Sequence, residues 1–285
     1  MTVTAAERRR ADRRFFTGLA RAFGAAIIFS LPLLMTMEMW WLGFYMSRLR
    51  LAAFMVLMYP LLLALDRFSG FKKTSTWLED AVDALVAYGV GTVSSAVLLF
   101  ILGVIDAGML PGEIIGKIAL QSVPASFGAV LAASQLGGEG TSSTSADDGI
   151  TEAVRDSYLV TLLFMLAGAV FMAFNVAPTE EMIVLAFKMS PARTLAAVVL
   201  SLLLMHGFVY AVEFRGTPQT PADVPGWSLF MRYTLVGYAI SLLVSAYVLW
   251  TFGRFEEGRL LVLLTESIVL AVPSSIGAAA ARLIL

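Results

Sequence analysis

Cysteine is absent from this 285-residue chain and histidine occurs once. The first absence removes disulfides, thiolate metal sites and cysteine nucleophiles together, and the second leaves too few imidazoles for a histidine-rich metal site. No metal and no cofactor are therefore expected. Charge is scarce as well. Only 14% of residues are Asp, Glu, Lys or Arg, and a formal net charge of −1 leaves no basic face once one arginine cluster is set aside, which excludes a nucleic-acid partner. Catalytic signatures are missing too: there is no HExxH, no GxSxG, no P-loop and no GxGxxG, and His206 has no defined acid partner for a serine nucleophile, so no enzyme is expected.

What is present in excess is apolar surface. The chain is 59% hydrophobic with a mean hydropathy of +0.82, more than a soluble domain of this length can bury, so the lipid bilayer is its expected solvent. The charged residues fall between apolar stretches of about 20 residues, the length a helix needs to cross a ~30 Å hydrocarbon layer. An all-α membrane protein is implied, with eight transmembrane helices expected near 18–45, 51–66, 80–105, 112–136, 157–187, 194–212, 228–252 and 260–284. The first apolar run is too long for a signal-peptide core, contains Pro32, Glu38 and two Trp, and lacks a small-residue cleavage site, so it reads as a retained span. The five arginines between Arg8 and Arg14, with Arg21 behind them, give a strong positive-inside signal. Residues 1–17 are thus expected to be a basic cytosolic segment, and eight crossings put both termini in the cytoplasm. Orientation rests on this segment, because the proposed outer loops carry Arg48, Arg50, Lys188, Arg193, Arg254 and Arg259. Trp40, Trp41, Trp77, Trp227 and Trp250 all fall near expected span ends, where indole rings anchor at headgroup level.

The chain repeats itself. Thr36–Arg50 (TMEMWWLGFYMSRLR) aligns without a gap on Thr179–Arg193 (TEEMIVLAFKMSPAR), with eight of fifteen positions identical. Among them are Thr36/Thr179, Glu38/Glu181, Ser47/Ser190 and Arg50/Arg193, which shared hydrophobicity alone would not align. Leu85, Tyr88, Ser95, Leu99 and Gly103 then meet Leu235, Tyr238, Ser245, Leu249 and Gly253, and VPASFGA from Val123 meets VPSSIGA from Val272. Two tandem four-helix repeats, 18–136 and 157–285, are expected, joined by a small, polar, acidic linker over 137–156 that has the composition of a flexible segment. A second polar loop, 215–226, carries three prolines. An even number of spans per copy makes the copies parallel, related by a pseudo-twofold along the membrane normal. The alternative is one re-entrant segment per copy and inverted repeats, the first helix being the candidate because Pro32 and the stretch Asn175–Pro178 both interrupt helical hydrogen bonding.

Carboxylates at membrane depth cost roughly 2.5 to 3.5 kcal/mol on insertion scales and are functional candidates by default. Glu38 and Glu181 occupy equivalent places, with Glu180 beside the second and Thr36, Thr179 and Asn175 adding oxygen ligands; together they suggest a small-cation site or pathway. The alternative places both glutamates at the outer interface, snorkelling or paired with Arg50 and Arg193. Pro178 removes an amide donor, and Thr179 is placed to cap a new helix; such a break suits an ion pathway or a bent structural helix. Lys117 and Glu266 stand at equivalent positions, each seven residues before Pro124 or Pro273, and invite an ion pair that either gates a pathway or fixes register. Pro32, Pro178, Pro124 and Pro273 are expected helix breaks or kinks, with Ser126 and Ser275 bonding across helices beside the last two. His206 has no counterpart in the first copy and reads as a hydrogen-bonded interior histidine or a titrating group. The scattered Met residues read as packing, not as a metal relay.

The arginine-rich start, TMEMWWLGFYMSRLR, NVAPTEEM and the two VPxSxGA helices resemble an uncharacterised family of bacterial integral membrane proteins with no assigned activity. The resemblance covers most of the chain and implies a bacterial inner-membrane setting without naming a substrate. APTEE is also similar, as a physical analogy, to the Pro-Glu repeats of the calcium/cation antiporter superfamily, which place an acidic residue beside a helix break. Those repeats are inverted; here a Thr separates Pro178 from Glu180, and the first copy lacks the proline. The leading expectation is a small-cation channel or secondary transporter, with assembly into a homo-oligomer left open. The alternative is a non-transporting membrane subunit, a sensor or scaffold that docks a partner through the acidic linker.

Overall fold

The computed structural model describes residues 5–68, 76–136, 157–211, 226–255 and 260–284. Among the described residues there are ten helices and no strands. The chain forms two compact units, Met1–Ser142 and Ser143–Leu285. The first contains α1 (Ala5–Leu34), α2 (Met37–Tyr45), α3 (Arg48–Phe68), α4 (Trp77–Ile101) and α5 (Pro111–Leu136). The second contains α6 (Tyr158–Val176), α7 (Glu180–Lys188), α8 (Pro191–Ala211), α9 and α10 (Leu260–Ile284). Helix α9 starts as Gly226–Leu229, passes through a π-helical stretch at Phe230–Leu235 and continues as Val236–Thr251. The same order of one long helix, one short helix and three long helices occurs in each unit. The linker 137–156 and most of the proline-rich loop, 212–225, lie outside the described residues.

Eight helices are long and apolar enough to cross a membrane, four in each unit. The two first spans are shorter than expected. What reads as one run over 18–45 is divided at Met35 and Thr36, and what reads as one run over 157–187 is divided between Ala177 and Thr179. Thr36 and Thr179 both adopt extended backbone angles, which stops one helix and starts the next. Helices α2 and α7 have nine residues each, about 14 Å of rise, less than half of what a crossing needs. Pro32 is not itself the break, since it lies inside α1; Pro124 and Pro273 likewise lie inside α5 and α10. Of the four prolines, Pro178 alone sits in an interruption.

In each unit the last helix is the hub. Helix α5 packs on α1, α2, α3 and α4, and α10 packs on α6, α7, α8 and α9. Every residue of α5 from Leu120 to Val130 is buried. Small residues make this approach close: a Cβ on Gly168 or Gly277 would collide with the other's carbonyl oxygen, so α6 and α10 cross backbone to backbone. Ser126 and Ser275 do not bridge helices as expected. Their hydroxyls donate to Ser122 and Val272 of their own helices, which gives each a partner near the prolines. The cross-helix serine bond is instead Ser245 to Ser274, at 3.3 Å.

The third span of each unit ends in the same way. Gly103 and Gly253 have φ of 69° and 74°, and no non-glycine residue has positive φ among the described residues. Val104 N donates to Leu99 O and Gly103 N to Phe100 O, while Arg254 N donates to Leu249 O and Gly253 N to Trp250 O. This is the Schellman pairing, in which a left-handed glycine lets the last carbonyls find donors. In the first unit Val104, just past the glycine, packs against Leu99. In the second unit that place is taken by Arg254.

Candidate functional site

The glutamates singled out by the repeat stand at helix starts. Glu38 lies in the first turn of α2, Glu180 and Glu181 in the first turn of α7, where a carboxylate is favoured by the helix dipole. Glu38 is half-buried, and Glu180 and Glu181 are exposed. The threonines between the helices turn away from them. Thr36 Oγ1 donates to Pro32 O at 2.7 Å and Thr179 Oγ1 to Val176 O at 2.9 Å, and neither side chain caps the next helix. Asn175 donates from Nδ2 to Phe171 O at 2.8 Å. Within each unit, the Thr36, Thr179 and Asn175 side chains thus bond to carbonyls at the end of the preceding helix. Among the described residues, no three His, Asp or Glu side chains come together as metal ligands.

Of the repeat-related carboxylates, the buried one is Glu266. It sits in the second turn of α10, 4% exposed, and its Oε2 has no hydrogen-bond partner among the described residues. Arg254 is close enough to act on it electrostatically. The Schellman turn at Gly253 aims Arg254 inward, and its guanidinium donates to Pro178 O at 2.6 Å. That carbonyl lies just ahead of α7, which begins two residues later at Glu180, so a side chain takes over as its donor. Three features therefore meet inside the second unit: an interrupted helix, a cation bound to the interruption, and a buried carboxylate with a free oxygen. The carboxylate is visible in the sequence, but Arg254 reads there as a loop residue. The signal that could have found it is its place one residue after the glycine that matches Gly103.

The first unit arranges the same places differently. Lys117 stands where Glu266 does, and its Nζ donates to Val104 O at 3.0 Å, with Met109 Sδ at 3.8 Å. Trp40 Nε1 donates to Leu34 O at 2.7 Å and Gln121 Nε2 to Leu33 O at 3.3 Å, and these cover the open end of α1. Lys117 and Glu266, which stand at matched positions in the repeat, each have a neighbour inside their own unit: the Val104 carbonyl for Lys117 and the Arg254 charge for Glu266. His206 on α8 meets Thr234 of the π-helical stretch, Nδ1 to Oγ1 at 3.0 Å, and its ring stands edge-on to Phe230.

No curated protein and no solved structure matches the chain. A family model does, over residues 18–285, and with the helical, multi-spanning architecture it establishes that the chain belongs to the uncharacterised family described as "Putative integral membrane protein (DUF2391)".

Proposed function

We propose that this protein moves a small cation across the membrane, as a secondary transporter or channel, and that Glu266 is the carboxylate on which the ion or a proton rests. The observation that supports this is the orphaned oxygen of Glu266, buried within a span beside the Arg254 that holds the α6–α7 interruption. A buried carboxylate stabilises a fold poorly unless all its oxygens are engaged, so one left incomplete in a span favours a handling role. An arriving cation or proton neutralises Glu266 and weakens its hold on Arg254. Arg254 also binds Pro178 O, so loading of the carboxylate is coupled to the geometry of the interruption. Glu38 and Glu181 take a lesser part in this reading, as charges at the starts of the two short helices.

The test is ion flux into proteoliposomes under an imposed proton or cation gradient, with folding checked by size-exclusion profile. Glu266→Gln is expected to lower flux by about tenfold or more, equivalent to about 1.4 kcal/mol in a barrier. The Glu38→Gln plus Glu181→Gln double variant is expected to retain most of it. Unchanged flux in a well-folded Glu266→Gln protein would remove the reading.

A further inference from the structure

A second site, independent of the transport reading, lies in the first unit. Between α2, the start of α5 and the turn after α4 is a cleft of about 510 Å³, within the ~300–1,000 Å³ range of small-molecule sites. Trp40, Trp41 and Phe44 supply aromatic walls, and Glu113 and Lys117 supply charge. The two charged residues stand one turn apart on the same face of α5 without pairing. Lys117 Nζ directs one hydrogen to Val104 O at 3.0 Å and a second to Met109 Sδ at 3.8 Å, leaving its third for an anion. The Glu113 carboxylate, half-buried at the first turn of α5, has no ion pair or hydrogen bond of its own among the described residues.

The depth of the cleft is set by the spans around it. The first and third spans end at Leu34 and Ile101 and the second and fourth begin at Arg48 and Pro111, so all four candidate spans of the unit have an end at this level. That is the headgroup zone, where Trp rings settle. An acid, a base and aromatic rings held apart in one cleft at that level match a molecule carrying a cation and an anion a few ångströms apart. We propose that the cleft binds the head of a zwitterionic phospholipid, its ammonium on Glu113 and the indole faces, its phosphate on Lys117. The second unit does not repeat this chemistry, because Ile183, Val184 and Val262 stand where Trp40, Trp41 and Glu113 do.

The experiment is native mass spectrometry of the full chain in detergent, with phosphatidylethanolamine, phosphatidylcholine and phosphatidylglycerol of identical acyl chains added in turn. Wild type is expected to retain one zwitterionic lipid with about tenfold preference over phosphatidylglycerol. Retention of both zwitterionic lipids, or of the ethanolamine lipid alone, supports the site; the second outcome assigns a hydrogen bond from a primary ammonium to Glu113. Glu113→Gln is expected to abolish the preference, and Lys117→Met to lower retention of all three lipids, since each carries the phosphate. Glu113 has no internal partner to lose, so its variant tests the site even if Lys117→Met fails to fold. Equal retention of phosphatidylglycerol by wild type, or an undiminished preference in Glu113→Gln, would overturn the assignment.

Discussion

The guanidinium of Arg254 donates a 2.6 Å hydrogen bond to the carbonyl oxygen of Pro178, 76 residues earlier in the chain. This bond joins the end of the third span in the second unit to the interruption of its first. One cation thereby serves a backbone carbonyl and the buried carboxylate of Glu266. Lys117 does the comparable work in the first unit from the other partner helix, reaching back to the Val104 carbonyl.

Replacing Arg254 with Gln should therefore be costly. It removes the donor to the Pro178 carbonyl and the positive charge nearest Glu266, and leaving a buried acceptor without its charged donor costs about 1 to 3 kcal/mol. Arg254→Lys should recover only part of this, because an ammonium keeps the charge near Glu266 but lacks the planar guanidinium that meets the Pro178 carbonyl. Adding Glu266→Gln to Arg254→Gln should restore much of the loss. Thermal unfolding of the purified protein in one detergent checks all three, and a double variant no more stable than Arg254→Gln would show that the two residues are uncoupled.

Glycine substitutions should separate into two classes. At Gly103 and Gly253 the backbone is left-handed, with φ of 69° and 74°, and Ala there is expected to cost about 1 to 2 kcal/mol. At Gly89, inside α4 with nothing near the position of an added Cβ, Ala should stabilise by about 0.5 to 1 kcal/mol. Unfolding midpoints in detergent read the sign directly. Gly253→Ala should also mimic part of the Arg254→Gln defect, since it disturbs the turn that aims Arg254.

Much of this architecture is written in hydrophobicity and in the repeat. The eight spans come from apolar length, and Glu38 and Glu181 align because the chain carries TMEM and TEEM in matching places. The interruptions at Thr36 and Thr179 are harder to see, because an extended residue between two apolar helices leaves no mark on hydropathy. Pro32 points to nearly the right place for a reason that does not apply: inside α1 its missing amide is tolerated, and the chain opens a few residues later. Arg254 and Glu266 escape notice as a pair because their partnership depends on α10 returning alongside the turn after α9, a tertiary relation that no local pattern records.

The ion pair between Arg67 and Asp80 fastens α3 to α4 in the first unit. Asp80 is fully buried, and the Arg67 guanidinium lies 4.1 Å from the centre of the Trp77 ring. Arg67→Ala removes the cation that fastens buried Asp80 to α3 and is expected to destabilise by up to about 3 kcal/mol. An apolar replacement of both, Arg67→Met with Asp80→Leu, should be far milder, because neither charge of the pair is then left behind. Chemical unfolding of the two variants beside wild type measures this. A double variant as unstable as Arg67→Ala would mean that the Trp77 stacking, not the ion pair, holds the two helices.

The π-helical stretch at Phe230–Leu235 admits a related test. A π turn adds a residue to the helical repeat and rotates the rest of the helix, and such turns collect at places where a side chain must be re-aimed. Here it brings Thr234, fully buried, to within 3.0 Å of His206 Nδ1. Thr234→Val keeps the shape and removes the hydroxyl, so the ring nitrogen loses a bond whose absence costs about 1 to 3 kcal/mol in a buried setting. His206→Leu combined with Thr234→Val removes both polar groups and should cost less than the two single effects added. The double-mutant cycle, read by thermal unfolding, is expected to give a coupling of at least about 0.5 kcal/mol. Strict additivity would mean that the π turn exists for helix packing alone and that the His206 contact is a by-product of it.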